Sequence, residues 1–269
     1  MPGFAIHTPR PVVNALAFSL SLLVLAPLAV VAQSAPDCSS LPNHDRLRTI
    51  LQSVVKEGAN GNGGLGTQAW ATVVNRDGIV CAVVFSGATR GDQWPGSRII
   101  SASKASTANA LSGKDSALST ANLYASAQPW NSLFSMTTSA PPNPQAAYAG
   151  PATAFGTASD PFVGKPIGGV IVFGGGLALY TSQGKIVGGL GLSGNTSCAD
   201  HVEAWKVRHM LQLDAVPHGV APDGTDNMIQ DIQNNESPSG FGHPKCKGGM
   251  PSADIIKNLS KNFPATPKK

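Results

Sequence analysis

Lys185-Ile-Val-Gly-Gly-Leu-Gly-Leu-Ser-Gly-Asn-Thr-Ser-Cys-Ala-Asp-His-Val-Glu-Ala-Trp-Lys-Val-Arg-His-Met-Leu-Gln-Leu213 decides the fold of this chain. Its first half is β-rich and apolar, so it reads as a buried strand. The glycine-rich turn with Ser193 to Ser197 follows, and Cys198–Leu213 has the apolar spacing of a helix, ended by Pro217. Upstream, Gly169–Phe173 and Leu177–Tyr180 read as two more strands, with a turn at Ser182-Gln-Gly184. Earlier still, Trp70–Asn75 and Ile79–Phe85 flank Arg76-Asp77-Gly78, the signature of a hairpin. Leu41–Lys56 carries Leu47, Ile50, Leu51, Val54 and Val55 at helical spacing, and Ile99–Leu111 is a helix of small residues. Hairpins require antiparallel pairing, and helices at both ends of the order must cover the sheet. The expected class is α+β, with a five-stranded antiparallel sheet covered by helices.

The N-terminus has its own grammar. Arg10 precedes an apolar run from Ala15 to Val31, and Val30 and Ala32 suit cleavage before Gln33. Residues 1–32 are therefore expected to be a secretory signal peptide, which predicts a secreted or periplasmic protein with no membrane span after cleavage. The remaining residues divide into a domain at 33–216, interrupted by a long Ser-, Ala- and Pro-rich excursion at 114–166, and an irregular extension at 217–269. Charged residues are only 13% of the chain and its formal net charge is +4, with no basic cluster interleaved with aromatics, so nucleic acid is not an expected partner.

Four cysteines, Cys38, Cys81, Cys198 and Cys246, all follow the leader. An even count in an exported chain implies disulfides, and the spacings exclude a CxxC site. Of the three connectivities, Cys38–Cys81 with Cys198–Cys246 is favoured because the second pair brackets the irregular extension.

Two near-misses to catalytic motifs lie in the opening segment. Gly189-Leu-Gly-Leu-Ser-Gly194 matches G-x-G-x-x-G, but no further parallel strand follows to carry the acidic residue of a dinucleotide site. Gly191-Leu-Ser193-Gly-Asn195 falls one residue short of a nucleophile elbow. Asp200 and His201, being adjacent on a helix, point about 100° apart and cannot form an in-line triad with it. That turn is read instead as a Ser/Thr cap on the following helix. Among the histidines after the leader no pair falls at i, i+4; His201, Glu203 and Asp200 form a loose carboxylate–imidazole set, but helix N-terminal chemistry explains Asp200 and Glu203 equally well. Lys104 stands out as a cation in a small, uncharged helix, beside Ser101, Ser103, Ser106 and Thr107. It needs solvent or an anion.

Five motifs in order carry a family resemblance: Val73-Val-Asn-Arg-Asp-Gly78, Ser103-Lys-Ala-Ser-Thr-Ala108, Gly168-Gly169, Gly184-Lys-Ile-Val-Gly-Gly-Leu-Gly-Leu-Ser-Gly194, and Asp200. Over roughly residues 44–213 the chain resembles the GlcG/HbpS-type haem-binding proteins, which include the C-terminal domain of PduO cobalamin adenosyltransferases. The resemblance implies a profilin/PAS-like sandwich, a homo-oligomer, and haem or another planar anionic ligand, with roles in haem handling or stress sensing. The excursion, the extension and the four cysteines set this chain apart from a minimal member. The expected ligand site gathers Arg90, Asp92, Lys104, Thr107, Ser193, Asp200 and His201 at one end of the sheet. Arg90 and Lys104 would face the propionates and His201 would be the axial ligand, with Tyr124 and Met136 behind it. No catalytic residue is assigned. The alternative is a small-molecule enzyme using Ser193, Lys104, Asp200 and His201 in the same pocket.

Overall fold

The structure, a computed structural model, describes Gly3 and residues 37–266. The expected leader lies outside the described residues, and residues 37–266 fall in one compact unit, Ala35–Lys269.

Helix α1, His44–Val55, begins at Asn43, whose side chain accepts the Arg46 N–H at 2.9 Å, and it buries Leu47, Leu51, Val54 and Val55 along one face. After the short α2, Gly58–Asn62, strands β1, Trp70–Asn75, and β2, Val80–Phe85, form the hairpin. Gly78 takes φ 77°, the conformation its turn demands, and the Asn75 carboxamide accepts the Asp77 and Ile79 N–H groups. Helix α3, Ser97–Ala110, follows. The excursion contains only short turns, including α4, Met136–Ser139, and α5, Pro144–Ala147. Strands β3, Gly176–Tyr180, and β4, Ile186–Ser193, lead into α6, Ser197–Met210. The last elements are α7, Ala253–Lys257, and α8, Leu259–Asn262.

The sheet is antiparallel, in the order β2-β1-β4-β3, with Trp70 opposite both Phe85 and Ser193. It has four strands among the described residues, one fewer than the sequence suggested. The missing one is Gly169–Phe173. Gly168 and Gly169 take φ 66° and 85°, which turns the chain off the sheet edge. The Thr107 hydroxyl then receives the Ile171 N–H at 3.0 Å, so this apolar run is pinned to α3 instead of to a strand.

Helices cover both faces. On one, α1 and α6 enclose Leu47, Leu51, Val73, Leu177, Leu190, Leu192, Val202 and Trp205. On the other, α3 lies across the sheet over Trp70, Val74, Val83, Phe162 and Ile167. A Cβ at Gly191 would collide with the Ser101 carbonyl, which is why the helix can sit so low over β4. The small side chains of α3, with Ala102 and Ala105 fully buried, serve the same close approach.

Cys38–Cys81 and Cys198–Cys246 are both bonded, with Cα separations of 5.8 and 6.0 Å. The second fastens the extension to the start of α6. Enclosed by the sheet, α1 and α2 as well as by the extension, every residue of the helix from Cys198 to Arg208 is buried. Arg208 meets Asp226 in a two-pronged ion pair at 2.6 and 2.7 Å, with both side chains buried.

Candidate functional site

Lys104 projects from α3 through the sheet's end to the start of α6. Its Nζ donates to the Leu192 carbonyl at 2.9 Å and to Asp200 Oδ2 at 2.7 Å, and the two side chains are 0% and 3% exposed. The cation the sequence flagged has its anion, and neither sees solvent. Asp200 Oδ1 accepts the Asn195 N–H at 2.8 Å, which ties the carboxylate to the turn after β4. Thr196 caps α6 by accepting the Ala199 N–H, as the sequence indicated.

Burial raises the Asp200 pKa to about 6 even though Lys104 and the Asn195 N–H oppose it, and burial lowers that of Lys104. Glu203, one turn on, has one oxygen on the Asn195 carboxamide at 3.2 Å, while its other oxygen is buried without a partner among the described residues. Burial first, then the neighbouring Asp200, pushes its pKa well up. From the sequence, helix-terminal chemistry is a sufficient account of Glu203. What distinguishes it is burial on a helix with no exposed face in its first three turns, which no periodicity signals.

His201 is also 0% exposed. Its Nε2 stands 3.2 Å from both Asn227 Oδ1 and the Met228 N–H, so the ring faces the extension and not a cavity. Burial lowers its pKa to about 4 and keeps it neutral. Thr107 bonds the Ser103 and Gly169 carbonyls, and Ser193 is buried at the end of β4.

Arg90 and Asp92 lie in the exposed loop after β2. This loop does reach the sheet end that carries Ser193, because Gln93 bridges to Gln68 and the Trp70 indole donates to the Trp94 carbonyl at 3.1 Å. No hydrogen bond or ion pair among the described residues joins Arg90 or Asp92 to Lys104. Asp92 instead accepts the Thr89 N–H and hydroxyl, which hold its pKa down. The expected site therefore divides into a buried polar lattice of Lys104, Asp200, Ser193 and His201 and an outer loop with Arg90. Tyr124 packs on His243 with ring centroids 5.2 Å apart, and Met136 sits in α4.

The outer loop borders a cavity of about 350 Å³ beside the start of α3, within the size range of small-molecule sites. Trp70, Ile99, Ala147, Ala152 and Phe155 line it, with Arg90 and Tyr148 also on its walls. Arg98, also on its wall, is committed to Asp160 and lies over the Phe155 and Phe162 rings at 3.7 and 3.5 Å. Sequence reading passed over Phe155, Tyr148 and Asp160 because they fall in the irregular excursion. The only hint there was its length. A larger cleft of about 610 Å³ lies in the extension, but Asp223, Lys245, Asp254 and Lys257 give it mixed charge, unsuited to a planar apolar ligand.

The family model described as "Haem degrading protein HbpS-like" matches residues 43–207. Among solved structures, the Klebsiella pneumoniae protein ORFY is 19% identical, covering 61% of this chain and 87% of that one at a TM-score of 0.39. A PduOC–haem complex is 22% identical, covering 62% and 92% at 0.40, and HbpS is 14% identical, covering 63% and 89% at 0.34. No curated protein matches the chain. With well over half of its length matched by that family model, the chain belongs to the HbpS-like family.

Proposed function

We propose that this is an exported, self-associating haem-binding protein, serving haem handling or stress sensing, whose ligand sits in the cavity beside α3. The observation that carries the reading is the pairing of aromatic and aliphatic walls with a cation, Arg90, that has no ion-pair partner among the described residues. A tetrapyrrole needs an apolar slot, a cation for its propionates and an axial ligand. Trp70, Ile99 and Phe155 supply the slot, and Arg90 the cation. The Tyr148 side chain, with the residue 77% exposed, offers a phenol within the same lining. His201, buried and engaged by Asn227 and Met228, is the poorer axial candidate. Bound haem would supply a redox-active iron, while the chain's own residues exclude water and orient the propionates. The enzyme alternative draws no support from Lys104 and Asp200, since a substrate could not reach them.

Two disulfides support export, since such bonds persist in oxidising compartments. Self-association is supported by Trp130, 100% exposed, with Leu133 and Phe134 in the same stretch.

A haem titration followed by absorbance tests the site. The expected result is a saturable Soret shift, weakened about tenfold by Arg90→Ala, as befits the loss of one charged hydrogen bond, and blocked by Ala147→Trp. Tyr148→Phe should change the spectrum. A flat titration, or one indifferent to all three substitutions, would overturn the proposal.

A further inference from the structure

Apart from the tetrapyrrole cavity, three side chains with metal-ligand chemistry converge where the extension meets α6. The Cys198 and Cys246 sulfurs and a ring nitrogen of His243 all lie within 4.8 Å of one another. In the oxidised protein the two sulfurs are bonded to each other. His243 is 2% exposed, and its Nδ1 stands 2.7 Å from the Pro244 carbonyl oxygen. A carbonyl can only accept, so Nδ1 carries the proton and donates, which leaves the lone pair on Nε2. That atom is 3.2 Å from Ser197 Oγ, which in turn is 3.4 Å from Cys246 Sγ, so the lone pair faces the hydroxyl that borders the sulfurs. A ring whose far nitrogen is fixed by a backbone carbonyl is the usual arrangement of a metal-ligating histidine.

The sulfurs have matching features. The Cys198 N–H, in the first turn of α6, points at Cys246 Sγ at 3.1 Å. Unpaired N–H groups and the helix dipole at such a position favour thiolate over thiol. The Cα atoms of the two cysteines are 6.0 Å apart. A tetrahedral zinc with bonds of about 2.3 Å would place its two sulfurs about 3.8 Å from one another, a separation that rotation about the Cys side chains can reach.

We infer that reduction of the Cys198–Cys246 bond creates a three-ligand site, formed by the two thiolates and His243 Nε2, for a borderline divalent cation such as Zn²⁺. The extension would then be fastened to α6 by a disulfide in one redox state and by a metal in the other. The reductant is a small thiol. Its thiolate attacks Cys246 Sγ, because Cys246 is the partly exposed residue of the pair and Cys198 is fully buried. The sulfur–sulfur bond breaks, Cys198 leaves as thiolate, and a mixed disulfide remains on Cys246. A second small thiolate attacks the outer sulfur of that mixed disulfide and releases Cys246 as thiolate. The two small thiols are oxidised to one disulfide and give up two electrons. Their two protons pass to solvent as the metal takes both protein sulfurs as thiolates. Three protein ligands leave the fourth tetrahedral position for water or Ser197 Oγ.

The test uses the full chain, reduced with a phosphine and titrated with Co²⁺ and then Zn²⁺. A thiolate-to-cobalt charge-transfer band should appear only after reduction and disappear as Zn²⁺ displaces cobalt. Cys198→Ser/Cys246→Ser should abolish the band, which separates it from any metal taken by reduced Cys38 and Cys81. His243→Ala should weaken Zn²⁺ binding by about tenfold or more, since even supporting partners of ligands are worth 10–100-fold. Tryptophan fluorescence reports folding alongside. If reduction loosens the fold, Zn²⁺ should restore the native signal in the wild-type chain and not in the double serine variant. A reduced wild-type chain with no band beyond that of the double variant overturns the inference, and so does a Zn²⁺ affinity indifferent to His243→Ala. Failure of the haem titration bears on neither outcome.

Discussion

Replacing Lys104 by methionine keeps most of the side-chain volume while removing the cation that meets Asp200 at 2.7 Å. Asp200 would keep the Asn195 N–H but lose its ion pair, in a place with no access to water. Breaking a buried pair from one side costs about 3–5 kcal/mol. For a domain of this size that is a fall in Tm of roughly 6–20 °C. The penalty is also pH-dependent. Asp200 already has its pKa raised from 3.8 to about 6, so its favourable contribution is complete below 3.8 and is lost as pH rises through about 6. Without Lys104 the carboxyl will titrate higher still. Lys104→Met should therefore be most damaging near pH 8 and milder near pH 5, where Asp200 takes up a proton instead of standing charged. Lys104→Met/Asp200→Asn should recover most of the loss, because a neutral pair leaves no buried charge behind. Urea unfolding of the four proteins at pH 8 and pH 5 gives the double-mutant cycle directly. A loss below about 1 kcal/mol at pH 8, a loss equal at both pH values, or a double variant no better than Lys104→Met would refute the reasoning.

Three further outcomes follow from the same geometry. His201 is held neutral with a pKa near 4 against an ordinary 6.5, so the stability its neutral ring provides is present above 6.5 and lost as pH falls toward 4. His201→Gln should lower the slope of stability against pH in that window by up to about 1.4 kcal/mol per pH unit, and an unchanged slope in urea titrations would sink the assignment. Gly191→Ala should cost about 2 kcal/mol or more by forcing α3 off β4, while Gly113→Ala, with open space around its Cβ, should fall within about 0.5 kcal/mol of the parent in thermal unfolding. Cys38→Ala/Cys81→Ala opens a loop of 43 residues and should cost about 4 kcal/mol on the chain-entropy account, read by calorimetry under non-reducing conditions.

Local chemistry made much of this fold legible. Asp77-Gly78 announced the first hairpin, the apolar spacing of α1 and the small residues of α3 announced two helices, and the favoured disulfide pairing is the one found. Where the expectation failed, a local signal was true but incomplete. Val170-Ile-Val172 has every β-forming residue a strand needs, yet Gly168 and Gly169 rotate it away from β3 and Thr107 holds it elsewhere. The site was legible by type and not by place. Lys104 was recognised as a cation in need of an anion, but only the three-dimensional path of α3 shows that Asp200 answers it in a sealed interior. Tyr148 and Phe155 stayed invisible because their meaning comes from where an irregular segment folds back, and no period in the sequence encodes that.

The enclosure of α6 bears on the order in which the chain can be made. Trp205 donates to the Phe263 carbonyl, Arg208 needs Asp226, and the Asn227 side chain spans from His201 to the Ile256 carbonyl. During synthesis, α6 emerges with Arg208, His201 and the Trp205 indole still waiting for partners 18, 26 and 58 residues downstream. The unit therefore has no early stopping point at which its surface is closed. A nascent chain that has reached Val216 carries a helix with polar groups that belong inside, a natural target for chaperones and proteases until the final segment arrives.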